Sequence, residues 1–318
     1  MRNLMIGCLA LFLIIVGCER SISKTDDPVK EQGNEEERYI IESNAEDGQS
    51  LQVVSAYKYV EKYVEKAEKT EDHEERKVLW RELVMNEVRD SCLNGPYFHL
   101  VQEYVLSPPQ DLENLKDEIE ALRDSGSEEV VLEALEKSAG ALPGPDTTVC
   151  LLPLGDLELD VSGVTVGAGT ISIVHQPYTT HQSIRQVVAH EYHHSAWTAD
   201  SFNGEKMDLL DAIIFEGKAE YFADSLYGEP LIEPGRVSEE EVKKLWNRAK
   251  ESLDTTDDRE VREILYGGED GFPYGFGYVA GYRIVQEYVK SHPDTTMEEL
   301  TRLNAESLYQ KSGYDSIQ

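Results

Sequence analysis

Residues 187–194 read VVAHEYHH and contain the pattern His-Glu-x-x-His. Residues four apart lie on one face of an α-helix, so His190 and His194 can direct their imidazoles toward one divalent ion. Glu191 lies beside them and can serve as a general base. His193 is adjacent to His194 and faces another direction, so it is not expected to bind the same ion. The stretch therefore predicts a metal site with a proton acceptor next to it.

A third ligand must come from elsewhere, because catalytic zinc commonly takes three protein ligands and leaves one position for water. Asp200 stands where the metzincin pattern H-E-x-x-H-x-x-G-x-x-H/D has its last ligand, but Trp197 replaces the glycine that permits the sharp turn. Glu216 begins the sequence EGKAE, and Glu220, one helical turn later, can accept a hydrogen bond from His190. The pattern favours Glu216 as the ligand and Asp200 as a surface acid.

The two motifs together resemble those of a known family. His-Glu-x-x-His at 190–194 followed by Glu-Gly-x-Ala-Glu at 216–220 is similar to the bacterial family of predicted zinc-dependent proteases, which is gluzincin-like. The resemblance extends over about residues 147–290. It implies a zinc-dependent metallopeptidase with one Zn²⁺ ion per chain and a peptide or protein substrate that it does not identify. The implied site residues are the metal ligands His190, His194 and Glu216, the catalytic Glu191, and Glu220, which orients His190.

Peptide-bond hydrolysis would use Glu191 as the proton carrier, which takes a proton from a zinc-activated water and delivers it to the leaving amine. A further donor should stabilise the oxyanion. Residues 274–282 read YGFGYVAGY, and their tyrosines recur at the helical period with small residues between them. Tyr278 and Tyr282 are therefore the candidate oxyanion donors, although the same tyrosines could instead pack as core.

The amino terminus has the pattern of an export signal. Arg2 precedes an apolar stretch over 4–16, and Gly17-Cys18 follows it. The end of this stretch resembles the lipobox of bacterial lipoproteins, which implies cleavage after residue 17 and lipidation of Cys18. An ordinary secretory signal is the alternative. The pattern predicts a signal peptide over 1–17 and an extracytoplasmic protein anchored to the bacterial cell membrane by lipid.

The rest of the chain divides into three regions. Residues 18–50 are rich in charged and small polar side chains, which predicts a disordered acidic tether. Residues 51–145 carry apolar residues at three-and-four spacing and predict a mostly helical region. Residues 146–318 are predicted to form a zincin-like catalytic domain, in which a small sheet precedes the motif helix and an edge strand aligns an extended substrate. The expected fold class is α+β.

Local signals place the elements of that domain. Residues 149–152 and 164–174 have the composition of short buried strands. Ser183 can cap the motif helix, with Gln186 three residues later completing a capping box. This helix is expected to end near 199–204.

Composition limits the partners. The formal net charge of −32 repels phosphate backbones, so a nucleic-acid partner is not expected. Cys92 and Cys150 lie outside the signal and could form one disulfide or remain two buried thiols. The oligomeric state does not follow from the sequence. The alternative function is a non-catalytic zinc-binding or partner-binding surface lipoprotein. A structural zinc site usually closes its fourth position with Cys or His, and Cys92 and Cys150 are the only spare thiols, so the intact Glu191 favours the enzyme.

Overall fold

The structure is a computed structural model. It describes residues 39–153, 163–174, 179–232, 237–267 and 271–316. The predicted signal peptide, the lipidated Cys18 and the first part of the predicted tether lie outside the described residues. Within the described ranges, no helix is long and apolar enough to cross a membrane.

A mixed sheet lies at the centre of the α+β fold. In the described part of the chain it has five strands in the spatial order β1-β2-β3-β5-β4. Strands β2, β3 and β5 are parallel, whereas β1 and β4 run antiparallel to their neighbours at the two edges. The strands are β1 (Ile40–Asn44), β2 (Ser50–Val54), β3 (Thr147–Leu152), β4 (Gly163–Gly167) and β5 (Thr170–Val174).

Helices cover the sheet and extend beyond it. The early helices are α1 (Tyr57–Ala67), α2 (His73–Trp80), α3 (Asn86–Cys92), α4 (Gln102–Val105), α5 (Leu112–Ser125) and α6 (Ser127–Ala141), with a π-helical turn at Arg81–Met85 and a 3₁₀ turn at Phe98–Leu100. The later helices are α7 (His181–Ser201), α8 (Leu209–Tyr227), α9 (Glu239–Ala249), α10 (Asp258–Leu265), α11 (Phe276–Ser291), α12 (Met297–Arg302) and α13 (Ala305–Ser312), and a 3₁₀ turn at Tyr314–Ser316 follows.

Strands β1 and β2 correct the predicted start of the folded region. A disordered tether up to residue 50 and a helix from residue 51 are both wrong here, because β1 and β2 pair as an antiparallel hairpin. Leu51 and Val53 alternate with polar residues and are fully buried. The acidic composition of the neighbouring stretch concealed this short alternation, which lies below the length at which periodicity distinguishes a strand from a helix.

The predicted boundary near residue 145 does not separate two folding units. Strand β2 pairs in parallel with β3, and helices α1–α6 form the connection that two parallel strands require. Residues 38–318 form one compact unit. The helical region therefore connects two neighbouring strands of the same sheet, β2 and β3.

Helix α7 carries the His-Glu-x-x-His motif and starts three residues earlier than predicted. Thr180 is its N-cap, and Ser183 is the third helical residue, completing the capping box with Thr180. Gln186 has another role: its amide donates to the carbonyl oxygens of Glu229 and Pro230. The helix ends at Ser201, within the predicted range.

Helices α8 and α11 cross with their backbones in direct contact. A Cβ atom added at Gly217 would overlap the carbonyl carbon of Gly281, and one added at Gly281 would overlap the carbonyl oxygen of Ile213. Only glycine at both positions permits this approach. Since Gly217 follows Glu216, the crossing fixes the position of that carboxylate.

A disulfide joins the helical region to the sheet. Cys92, at the end of α3, is bonded to Cys150 in β3, with their Cα atoms 5.7 Å apart. The carbonyl oxygen of Cys92 also accepts a hydrogen bond of 2.9 Å from the hydroxyl of Ser172 in β5. The end of α3 is therefore held to two adjacent strands.

The disulfide should contribute measurably to stability. Replacing Cys92 and Cys150 with serine together should lower the free energy of unfolding by about 2–4 kcal/mol, because the unfolded chain loses a cross-link. Urea denaturation with and without reductant measures this. Reductant should lower the free energy of unfolding of the wild type and leave that of the double variant unchanged. If the wild type and the double variant have the same free energy of unfolding without reductant, the two cysteines are not bonded.

The α8–α11 crossing supplies a second prediction. Gly281→Ala should lower the free energy of unfolding by about 3 kcal/mol or more, because the new methyl group meets backbone atoms that cannot move aside. Gly140→Ala is the matched control, since Gly140 lies near the end of α6 with nothing within 4 Å of the added Cβ. That substitution should be neutral or stabilise by up to about 1 kcal/mol through helix propensity. Thermal or urea denaturation of both variants tests the difference.

Candidate metal centre

The side chains of His190, His194 and Glu216 converge at the interface of α7 and α8. The Nε2 atoms of the two histidines are 3.0 Å apart. Each lies 3.1 Å from Oε2 of Glu216. All three side chains are buried, and within the described residues they are the one cluster of three His, Cys, Asp or Glu side chains arranged to hold a metal ion.

The three atoms fit the ligands of a tetrahedral ion. Zinc bonds of about 2.0 Å separate neighbouring ligands by about 3.3 Å, close to the three distances here. Two imidazole nitrogens and one carboxylate oxygen are also the donor set of many catalytic zinc sites. The cluster therefore has the spacing and chemistry for one zinc ion, and its remaining side is free of a fourth protein ligand among the described residues.

Charge interactions within the cluster shift the pKa values of His190 and Glu216. Burial opposes the charged form of His190, but hydrogen bonds to Glu216 and Glu220 outweigh it and raise the pKa of the imidazole well above its usual value. Burial likewise opposes ionisation of Glu216, but His194 and His190 outweigh it and lower the pKa of the carboxyl to about 2.

Glu220 supports His190 from the side opposite the cluster. Its Oε1 atom lies 3.3 Å from Nδ1 of His190. Its Oε2 atom accepts a hydrogen bond of 3.1 Å from the backbone N–H of Ile232. The carboxylate thereby fixes which nitrogen of His190 faces Glu216, as its place in the sequence predicts.

Aromatic packing orients His194. Its ring stacks on that of Phe215, with centroids 3.9 Å apart and planes 15° apart. Trp197 packs edge-on against the same phenyl ring at 4.9 Å. Trp197, at the position of the metzincin glycine, therefore supports the phenyl ring that packs on His194. The sequence patterns did not reveal the contribution of Phe215.

Asp200 and His193 lie apart from the cluster. Asp200 is exposed and accepts hydrogen bonds of 3.1 and 3.2 Å from the guanidinium of Arg302. His193 is fully buried, with Nε2 3.3 Å from the hydroxyl of Thr301. Burial lowers the pKa of His193 well below its usual value, so it is a neutral packing residue.

Thr165 in β4 holds the carboxylate of Glu191. Its backbone N–H donates to Oε2 of Glu191 at 2.6 Å, and its hydroxyl lies 2.8 Å from the same atom. The hydroxyl also lies 2.7 Å from the carbonyl oxygen of Glu191. The backbone N–H thus donates to Oε2, and the one hydroxyl proton has both Oε2 and the carbonyl oxygen as acceptors. Sequence reasoning missed Thr165, since no local pattern reveals which strand residue faces a given turn of a helix.

Tyr278 lies beside the cluster, with its ring roughly parallel to that of His190 at 6.1 Å between centroids. Burial and the nearby carboxylate of Glu216 raise the pKa of Tyr278 well above its usual value, so its hydroxyl keeps its proton. The ring of Tyr266 lies 6.1 Å from that of Tyr278, and burial and Glu216 raise the pKa of Tyr266 to about 12. Tyr266 was not predicted, because it follows the last turn of α10 outside any helical periodicity.

Tyr282 is placed differently from its prediction. Its hydroxyl donates to Asp224 at 2.8 Å and accepts from the amide of Gln286 at 2.7 Å. Tyr282 lies one turn further along α11 than Tyr278. Its hydroxyl therefore reaches Asp224, which lies one turn after Glu220 on α8. Of the two predicted donors, only Tyr278 therefore has its ring beside a histidine of the cluster.

The fold and the cluster define a class: α+β proteins in which a His-Glu-x-x-His helix and a glutamate of the next helix form a metal site. Residues 127–310 match the family described as "Predicted Zn-dependent protease (DUF2268)", a match that spans more than half of the chain. The chain belongs to this family.

A curated relative matches over part of its length. The chain is 30% identical over 142 residues to "Uncharacterized protein YjfC" of Bacillus subtilis (strain 168), which covers 41% of this chain and 47% of the relative. The chain thus spans about half the length of that relative. No solved structure matches.

The contact between Thr165 and Glu191 can be tested directly. Thr165→Val removes the hydroxyl at nearly constant volume, and the free energy of unfolding should fall by about 1.5–3 kcal/mol, the range for a hydrogen bond to a charged group. Thr165→Ser keeps the hydroxyl, so its free energy of unfolding should fall distinctly less than that of Thr165→Val. Urea denaturation of metal-free protein measures both, and equal stability of the two variants would show that the hydroxyl contributes nothing.

Proposed function

We propose that this protein is a zinc metallopeptidase that hydrolyses peptide bonds with a metal-activated water. The observation that carries the proposal is the convergence of His190, His194 and Glu216, with mutual distances of 3.0–3.1 Å, beside the carboxylate of Glu191. The family to which the chain belongs, described as predicted zinc-dependent proteases, supports the same reaction.

The proposed roles follow from the contacts. A bound zinc ion supplies Lewis-acid chemistry, which polarises a carbonyl and makes a water molecule acidic enough to attack near neutral pH. His190, His194 and Glu216 hold the ion. Glu191 takes the proton of the attacking water and delivers it to the leaving amine, and Thr165 keeps its carboxylate in place. Tyr278, whose ring lies beside that of His190, is the proposed donor to the oxyanion.

The location is part of the proposal. The signal pattern that ends at Cys18 supports an extracytoplasmic protein attached to the bacterial membrane by lipid. The disulfide between Cys92 and Cys150 is consistent with this, because disulfides persist in oxidising compartments. The substrate would then be a peptide or protein outside the cytoplasm.

Substitution of Glu191 should abolish peptide cleavage without changing the zinc content. The wild type should bind about one zinc ion per chain and cut a peptide library, whereas Glu191→Gln should keep the zinc and lose at least about a hundredfold in cleavage rate. Elemental analysis and mass spectrometry of the products measure these. A wild type that binds no zinc would refute the site, and zinc without cleavage would favour the non-catalytic zinc-binding alternative.

The third ligand has its own test. Glu216→Gln should weaken zinc binding strongly, because the amide offers no negative charge to the ion, whereas Asp200→Asn should retain wild-type affinity. Titration against a competing chelator measures both affinities. The opposite ranking would assign the third ligand to Asp200.

A further inference from the structure

A cavity of about 370 Å³ lies beside the metal centre, between the end of α7, the first half of α8 and the turn that joins α12 to α13. Phe215 and Trp197 line it. Since the ring of Phe215 also stacks on that of His194, this aromatic pair separates the cavity from the metal ligands. The reaction proposed above uses none of the charged groups in the cavity.

One face of α8 forms the floor of this cavity. The lining residues of α8 are spaced three and four apart, so they project from the same side of the helix: Asp211, Ile214, Phe215 and Lys218. The first and the last of them are seven residues apart, which separates their backbones by about 10 Å along the helix axis. The floor therefore has a carboxylate at one end, an ammonium group at the other, and apolar side chains between them.

Lys218 is a buried cation without a carboxylate partner among the described residues. It is 3% exposed, and its Nζ atom donates to the carbonyl oxygens of Thr301, at 3.0 Å, and of Leu303. An ammonium group has three N–H donors, so one remains for a group in the cavity. Because lysine is rarely buried without an anion beside it, this end of the cavity suits a negatively charged ligand.

The other charged side chains of the cavity differ in whether they already have partners. Arg302 and Lys206 form ion pairs with acids that do not line the cavity. Glu205 accepts a hydrogen bond of 2.9 Å from the amide of Asn203. Asp211 forms no ion pair with any residue in the described part of the chain, so a carboxylate is left for a positively charged group at the end of the floor opposite the lysine.

We propose that this cavity binds a short peptide with free ends, with its carboxylate at Lys218 and its ammonium group at Asp211. The side chains of the peptide would pack on Ile214, Phe215 and Trp197. The cavity volume lies within the range of small-molecule sites, about 300–1,000 Å³. The choice of a peptide rests on the proposed peptidase function, which would release such molecules beside the cavity, whereas the carboxylate site itself does not.

The test compares leucyl-leucine with its N-acetyl derivative and its carboxamide. Binding is measured by calorimetry with zinc-loaded Glu191→Gln, so that the dipeptide is not hydrolysed. Removal of either terminal charge should weaken binding at least about fivefold. Each titration is repeated with metal-free protein, because a carboxylate can also bind zinc. Binding in the cavity should persist without the metal, and binding that is lost with it would place the dipeptide at the metal centre and overturn the proposal.

Variants assign each terminal charge to its partner. Lys218→Met keeps most of the side-chain length without the charge, so leucyl-leucine should bind at least about fivefold more weakly and amidation should no longer matter. In Asp211→Asn, acetylation should no longer matter. Asp211 is exposed, so this second variant tests the proposal even if Lys218→Met does not fold. Asp294→Asn is the matched control, since this exposed acid lies outside the cavity, and it should bind all three compounds as Glu191→Gln alone does.

Several results would overturn the proposal. These are equal affinity for the three compounds, no binding of leucyl-leucine at all, and an effect of amidation that remains in folded Lys218→Met. A dependence on the carboxylate alone would overturn the assignment of a peptide and identify a simple carboxylic acid as the ligand. Failure of the peptidase function is seen separately, as zinc-loaded wild type that cleaves no peptide of the library, and it leaves these affinities unchanged.

Discussion

The contact between Glu216 and the two imidazoles of α7 is the interaction on which this structure depends. A buried carboxylate costs several kcal/mol unless oppositely charged or hydrogen-bonding groups surround it. His190 and His194 provide these groups at 3.1 Å, and Glu220 holds His190 in the orientation that does so. The same convergence of a carboxylate oxygen and two imidazole nitrogens is what a divalent ion requires, so the feature that stabilises the α7–α8 interface is also the metal-binding feature.

Convergence within such short distances requires helices that cannot shift. Gly217 and Gly281 bring α8 and α11 into backbone contact, and this fixes the height of Glu216 against α7. Phe215 stacks on His194 from the other side. The helical region contributes through the disulfide at Cys92, which holds the end of α3, and thereby the start of the segment that lies over β4, against the sheet. Residues outside the His-Glu-x-x-His motif thus position its side chains.

The errors of sequence reasoning have a common cause. The hairpin of β1 and β2 was read as tether and helix because five-residue strands in an acidic stretch carry too little periodicity to outweigh composition. The motif helix is capped by Thr180 rather than Ser183, since both residues can cap and only the path of the preceding chain chooses between them. Tyr282 was a candidate donor because a helical period relates it to Tyr278, but one turn of rise separates their surroundings.

The sequence by itself determined the local part of the site. The spacing of His190, Glu191 and His194 within one helix brings their side chains together whatever the rest of the fold, and Glu216 with Glu220 follows the same rule on the next helix. Only the tertiary structure decided which distant groups meet them. The contacts of Thr165 with Glu191, of Tyr266 with Tyr278 and of Tyr97 with Val166 in β4 depend on strand register and on the angles at which helices cross. These are set by packing over the whole chain, and no short stretch of residues encodes them.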